Sequence, residues 1–213
     1  MIWDYVTSAL VTLLVTVDPP GLAPIFLGVT PGMDRDARRQ VAIRAVIIAG
    51  AIMAASGLAG ARLLGALGIS LPAFRIAGGL LLFWIAFEMV FERRAERKTG
   101  TAQAAVTIDH IRNVAAFPLA IPLMAGPGAI TATILLAGRA HGEPVQMAAL
   151  MLVIAFVMAS CLAVFLAADR ISTWLGVTGN IVLSRLLGVI LAALAVQFVI
   201  DGTMELRRSD GLS

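Results

Sequence analysis

Six apolar stretches, at roughly 3–29, 45–67, 71–91, 114–137, 146–168 and 181–201, leave this chain few ways to fold. Helices cross a bilayer because they bond every backbone N–H and C=O internally, and a ~30 Å hydrocarbon core takes about 20 helical residues. The second, third, fifth and sixth stretches meet that length as single helices. With 60% hydrophobic and 14% charged residues and a mean hydropathy of +0.95, the 213-residue chain is far from soluble averages of about 45–50% apolar and about 25% charged. It reads as an all-α integral membrane protein. The opening Met1-Ile2-Trp3-Asp4 has no basic region of a signal peptide, so the first stretch is expected to stay in the mature protein. Cys161, inside an apolar run, reads as a small buried hydrophobe.

The first and fourth stretches are interrupted, by Asp18-Pro19-Pro20-Gly21 and by Ala125-Gly126-Pro127-Gly128. Trp3 to Val17 covers only roughly 22 Å at 1.5 Å per residue, so the piece after the break, Leu22 to Val29, is needed to finish the crossing. Val114–Met124 followed by Ala129–Ala137 has the same need. Proline removes a donor and clashes with the preceding turn. The polar groups it frees are tolerated at membrane depth only inside protein or against a wet cavity.

The two halves read as repeats. Arg75-Ile76-Ala77-Gly78 begins 55 residues after Pro20, and Arg185-Leu186-Leu187-Gly188 begins 58 residues after Pro127. Gly68-Ile69-Ser70 and Gly176-Val177-Thr178 stand upstream of each arginine. Three spans per half require the second half to insert upside down, the inverted repeat of many secondary transporters. The expected division is residues 1–92 and 113–206 for the two three-helix repeats, 93–112 for a cytoplasmic linker and 207–213 for a tail. Loops 1–2, 3–4 and 5–6 carry eleven Arg and Lys against five on the other side, which places both termini outside the cytoplasm. The sequence pI near 10 reflects this topology, and no soluble basic domain is present to hold a nucleic acid.

Chemistry is expected at the breaks. Half-helices starting at Leu22 and Ala129 would aim free N–H groups and positive dipole ends at the bilayer centre, a setting for a carboxylate. Pro19, Pro20, Gly21, Gly126, Pro127, Gly128 and Thr131 are therefore the candidate substrate-binding residues. Carbonyls left unbonded before each proline could accept from an ammonium or coordinate a cation. Asp18, a carboxylate at membrane depth, is the candidate for binding Na⁺ or shuttling a proton, and it could equally cap the second half-helix at Gly21 or Leu22. Glu88 and Asp201 read as interfacial, and Arg75 and Arg185 as anchors. His110 and His141 lie far apart without ligand spacing, so no metal site is expected, and no cofactor signature is present.

Asp18-Pro19-Pro20-Gly21-Leu22-Ala23-Pro24-Ile25-Phe26-Leu27 resembles the opening motif of the MarC family of integral membrane proteins. Arg75 to Leu81, Phe117 to Leu123 with Gly126-Pro127-Gly128, and Ser184 to Gly188 resemble the family in order and spacing over nearly the whole chain. The resemblance implies a six-span inner-membrane protein related to the LysE-type exporters, one branch being similar to ion-driven neutral amino-acid transporters. Many relatives carry a polar residue where this chain has Leu22, which removes one side chain that could have touched a substrate. The resulting expectation is a secondary transporter of a small polar metabolite, a neutral amino acid, working by ion- or proton-coupled alternating access. The alternatives are a facilitative, channel-like pathway, an exporter of another metabolite, or an assembly partner with no solute path. An enzyme is not expected, because the apolar stretches hold no histidine, no lysine and no metal-ligand pattern.

Overall fold

A computed structural model describes residues 2–94, 97–100, 114–140 and 142–209. His110, Arg112, His141 and most of the expected linker lie outside the described residues. Among the described residues the delimited helices are α1 Ile2–Val17, α2 Pro19–Val29, α3 Arg35–Ala66, α4 Leu71–Val90, α5 Ala115–Met124, α6 Pro127–Arg139, α7 Pro144–Leu166 and α8 Ala168–Ser209, with further helical residues at 93–94 and 97–100. No strand occurs among the described residues. Five helical segments are long and apolar enough to cross a membrane, and a sixth results when α5 and α6, bent by 57° at their junction, count as one. Large apolar side chains such as Leu152, Phe156 and Leu186 point outward, as they must when the surrounding solvent is lipid.

Local chemistry sets the helix ends. Asp34 caps α3, its carboxylate accepting from the Ala37 N–H at 2.7 Å, and Ser70 caps α4 by accepting from Ala73 at 3.3 Å. The cap at Asp34 explains why α3 starts ten residues before its apolar run: Arg35 to Arg44 form a solvated helical extension. Gly68 closes α3 with φ +70°, and Gly176 interrupts α8 with φ +59°, a conformation that costs other residues a Cβ clash. Both glycine turns flagged in the sequence therefore take positive φ, Gly176 with an extended ψ of −176°.

Small residues let the helices approach. The most extensive packing joins α4 to α8. A Cβ on Gly79 would stand 2.7 Å from Val199 Cγ2 and 2.8 Å from the Ala195 carbonyl, and one on Gly188 would stand 3.1 Å from the Ala86 carbonyl. Tyr5 ties α1 to the end of α6, donating to the buried Leu136 carbonyl at 3.0 Å. Gly79→Ala is expected to destabilise the protein by about 1–3 kcal/mol, since backbone cannot move aside. Gly65→Ala, with nothing within 4 Å of the added carbon, is expected to be neutral or mildly stabilising. Thermal unfolding of the two purified variants in detergent checks both.

Candidate functional site

The chain leaves helical geometry at Asp18, whose φ of 59° and ψ of 64° are left-handed. In an uninterrupted helix each carbonyl accepts from the N–H four residues on. The partner of Val15 would be Pro19 and that of Thr16 would be Pro20, and neither proline has an N–H. The partner of Val17 would be Gly21, whose N–H goes instead to the Asp18 carboxylate at 3.3 Å. The capping role foreseen for Asp18 is thus realised, and its consequence is a cluster of orphaned carbonyls at the negative dipole end of α1.

Two cations from the segment after α4 reach two of those three carbonyls, Thr16 and Val17. Glu92, with φ 66°, turns the chain back at the end of α4. The Arg94 guanidinium then donates to the Thr16 carbonyl and contacts the Met89 sulfur. The Lys98 ammonium donates to the Val17 carbonyl at 3.4 Å and lies 3.6 Å from the Asp18 carboxylate. Arg94, Lys98 and Asp18 are 6%, 8% and 5% exposed. Arg94 and Lys98 fall within the cytoplasmic linker expected over 93–112, and both are buried against the break. Lys98 is the only lysine in the sequence. Burial pushes its ammonium down to about 8, with Arg94 adding to the shift and Asp18 opposing it. The available signal was spacing: Arg94 and Lys98, four apart, share one face of a helical turn, while Arg93 and Arg97 share another.

The second break is chemically opposite. α5 contains the non-helical residues Phe117 and Ile121, and α6 starts at Pro127 after an extended Gly126 with no side-chain cap. Ile130 N–H bonds back to Gly126 at 3.0 Å, which leaves the Gly128 and Ala129 N–H groups as first-turn donors at the positive dipole end of α6. A cavity of about 240 Å³ opens onto this turn. Gly126, Pro127, Gly128 and Ala129 line one side of it, and Thr16, Arg94, Arg97 and Lys98 line another. A Cβ on Gly128 would stand 2.3 Å from Ile85 Cδ1 and 3.3 Å from Thr16 Cγ2, so the glycine admits the close approach of α6 to α1 and α4.

Of the sequence candidates, Gly126, Pro127 and Gly128 line the cavity, and Asp18 reaches it through Lys98. Pro19, Pro20 and Gly21 shape the break without lining the cavity, and Thr131, buried, faces Gly78 on α4. Glu88, expected at an interface, is buried and holds Arg97 at 2.8 Å and the Trp84 indole N–H at 3.1 Å. Arg75 is buried and paired with Glu205, Arg185 pairs with Glu92, and Arg139 pairs with Asp201 while lying 4.4 Å over the Phe198 ring. No group of three metal-ligating side chains occurs among the described residues.

The cation pair can be tested directly. Lys98→Met strands a buried carboxylate and is expected to cost about 3–5 kcal/mol, whereas Asp18→Asn combined with Lys98→Met costs clearly less than the sum of the single changes. A double-mutant cycle on unfolding midpoints measures that coupling; strict additivity would contradict the pairing.

Comparison with known sequences agrees with this membrane architecture. The pattern described as MarC family integral membrane protein matches residues 3–206. The chain is 35% identical over 199 residues to a membrane protein of Archaeoglobus fulgidus, covering 93% of this chain and 92% of that one. It is 33% identical over 190 residues to the UPF0056 membrane protein YhcE of Escherichia coli, covering 89% and 87%. It is 32% identical over 197 residues to the UPF0056 inner membrane protein YhgN of the same organism, covering 92% and 95%. No solved structure matches the chain.

Proposed function

We propose that this chain, which belongs to the MarC family of integral membrane proteins, is a secondary transporter of a small polar metabolite bearing a carboxylate, with a neutral amino acid as the best candidate. The carrying observation is the cavity between the two breaks, where first-turn N–H groups of α6 face the Arg94 and Lys98 cations. Both kinds of group favour an anion, and a cavity of about 240 Å³ has room for a small metabolite. Alternating access is the proposed mode, with the halves as inverted repeats. Supporting it, α3 packs on α5 and α6 while α7 packs on α1, and the corresponding third spans α4 and α8 pair with each other. The inner membrane, with both termini outside the cytoplasm, is the proposed location.

A proton is the proposed coupling ion, with the Lys98–Asp18 pair as its carrier. Na⁺ is the weaker choice, because the α1 carbonyls that could coordinate it already accept from two fixed cations. Asp18, Arg94 and Lys98 are the ionisable groups that meet here, with the Cys161 thiol nearby. The sign follows from the lowered Lys98 value: the ammonium is present below about pH 8 and lost as pH rises through it. Substrate affinity should therefore fall from neutral to alkaline pH, and Lys98→Arg, which stays charged, should flatten that profile.

Uptake by proteoliposomes tests the reading. A neutral amino acid should accumulate under a pH gradient, and Arg94→Gln or Lys98→Gln should weaken its binding by about tenfold or more, the scale of a charge-assisted hydrogen bond. Accumulation that is unaffected by both variants would overturn the site. Equilibration without accumulation, untouched by Asp18→Asn, would replace coupled transport with a facilitative pathway.

A further inference from the structure

A second, larger cavity lies away from the breaks, where α2 and α7 end and α3 and α8 begin. It has a volume of about 480 Å³ and is built of two unlike halves. Its floor is apolar: Phe26 and Phe165 stack with ring centroids 4.6 Å apart and planes 17° from parallel, and Leu27 and Leu166 continue the wall. Leu166 is 57% exposed at the end of a helix long and apolar enough to cross a membrane. Its rim is cationic, with Arg35, Arg38, Arg39 and Arg170 set against Asp36 and Asp169. Four guanidinium groups against two carboxylates leave two positive charges in excess.

The arginines are not equivalent. Arg38 is committed internally: its Nε donates to the Thr30 carbonyl at 3.4 Å, and its Nη1 lies 3.5 Å from the Asp169 carboxylate. Among the described residues no carboxylate lies within ion-pair distance of Arg35, Arg39 or Arg170. Three planar, always-charged donors therefore surround one opening without an anion of their own. Arg35 and Arg39 occupy the start of the solvated extension of α3, one turn apart, and Arg170 enters from the α7–α8 corner. This level is where the apolar spans give way to charge, the depth at which lipid head groups lie.

We propose that this pocket binds a phosphate-bearing anion with an apolar tail, the chemistry of an anionic phospholipid, with its phosphate on Arg35, Arg39 and Arg170 and an acyl chain along Leu27 and Leu166. Guanidinium forks match phosphate oxygens bidentately, and basic pockets between membrane helices hold acidic head groups. A free phosphate would satisfy the rim but leave the apolar wall unused. A zwitterionic lipid would satisfy the wall but bring a choline cation to a rim already in positive excess. The site stands apart from the transport cavity and does not depend on what that cavity carries.

Native mass spectrometry of the purified full-length protein, offered equal phosphatidylglycerol and phosphatidylcholine, tests the assignment. The parent should retain phosphatidylglycerol about tenfold over phosphatidylcholine. Arg39→Gln with Arg170→Gln, which spares the internally bonded Arg38, should bring the two lipids to parity. Arg207→Gln with Arg208→Gln, an equal loss of charge at the far end of α8, should behave as the parent. Equal retention of both lipids by the parent, or an equal loss in the two double variants, would overturn the proposal. Displacement of phosphatidylglycerol by an equal concentration of inorganic phosphate would assign the rim to free phosphate and overturn the lipid reading. The lipid preference and phosphate competition of the parent decide the matter even where a variant fails to fold.

Discussion

Buried cations on the carbonyl end of α1 hold the centre of this molecule together. Pro19 and Pro20 withhold two donors from the last turn of α1, and the Asp18 carboxylate takes the third. An unsatisfied carbonyl away from water costs about 1–3 kcal/mol, more in hydrocarbon surroundings, so a break of this kind survives only where something donates to it. Arg94 and Lys98 do so from the segment after α4. Each of these groups would be unstable if buried alone, since an ammonium needs a counter-charge and Asp18 supplies it. The segment following the third span is thereby tied to the first break.

The two breaks differ in what they offer, although both arise from proline and glycine. The first offers carbonyls and consumes cations of the chain itself. The second offers N–H groups, because Gly126 and Pro127 open α6 without a capping side chain. The cavity between them is consequently electropositive on more than one wall. On the proposed reading, such a site would select by charge first, favouring a carboxylate over a bare metal cation. Gly128 makes the geometry possible, because any side chain there would collide with Ile85 and crowd Thr16.

Much of the architecture was legible in the sequence, and the reasons are physical. Apolar run length fixed the helical spans of α3, α4, α7 and α8, since a helix that crosses lipid has no other way to satisfy its backbone. Gly68 and Gly176 were readable as turns because positive φ selects glycine. Asp18 was readable as a cap because it stands three residues before Gly21, the first residue with an N–H after two prolines. What escaped was the fate of charges in polar stretches. Glu92 to Lys98 has the composition of a solvated loop, and composition does not reveal that Glu92 reverses the chain or that the second cation of each adjacent pair, Arg94 and Lys98, turns inward. Glu88 escaped for a related reason: Trp84 is its neighbour one turn back on α4, but its ionic partner Arg97 comes from beyond the helix end, and only the fold brings that cation to the carboxylate. The start of α3 at Arg35, ahead of its apolar run, likewise reflects a cap and not hydropathy.

Because Lys98 is the chain's only lysine, one measurement isolates the central interaction without any substitution. The protein, folded in nanodiscs, is exposed to a water-soluble amine-reactive ester, and modification of the Lys98 peptide is followed by mass spectrometry against the denatured protein. With the ammonium packed on the Val17 carbonyl and Asp18, labelling of the folded protein should be slower by about tenfold or more, the protection expected of a group that reacts only on local opening. Labelling at the denatured rate would place Lys98 in a solvated linker and contradict the account.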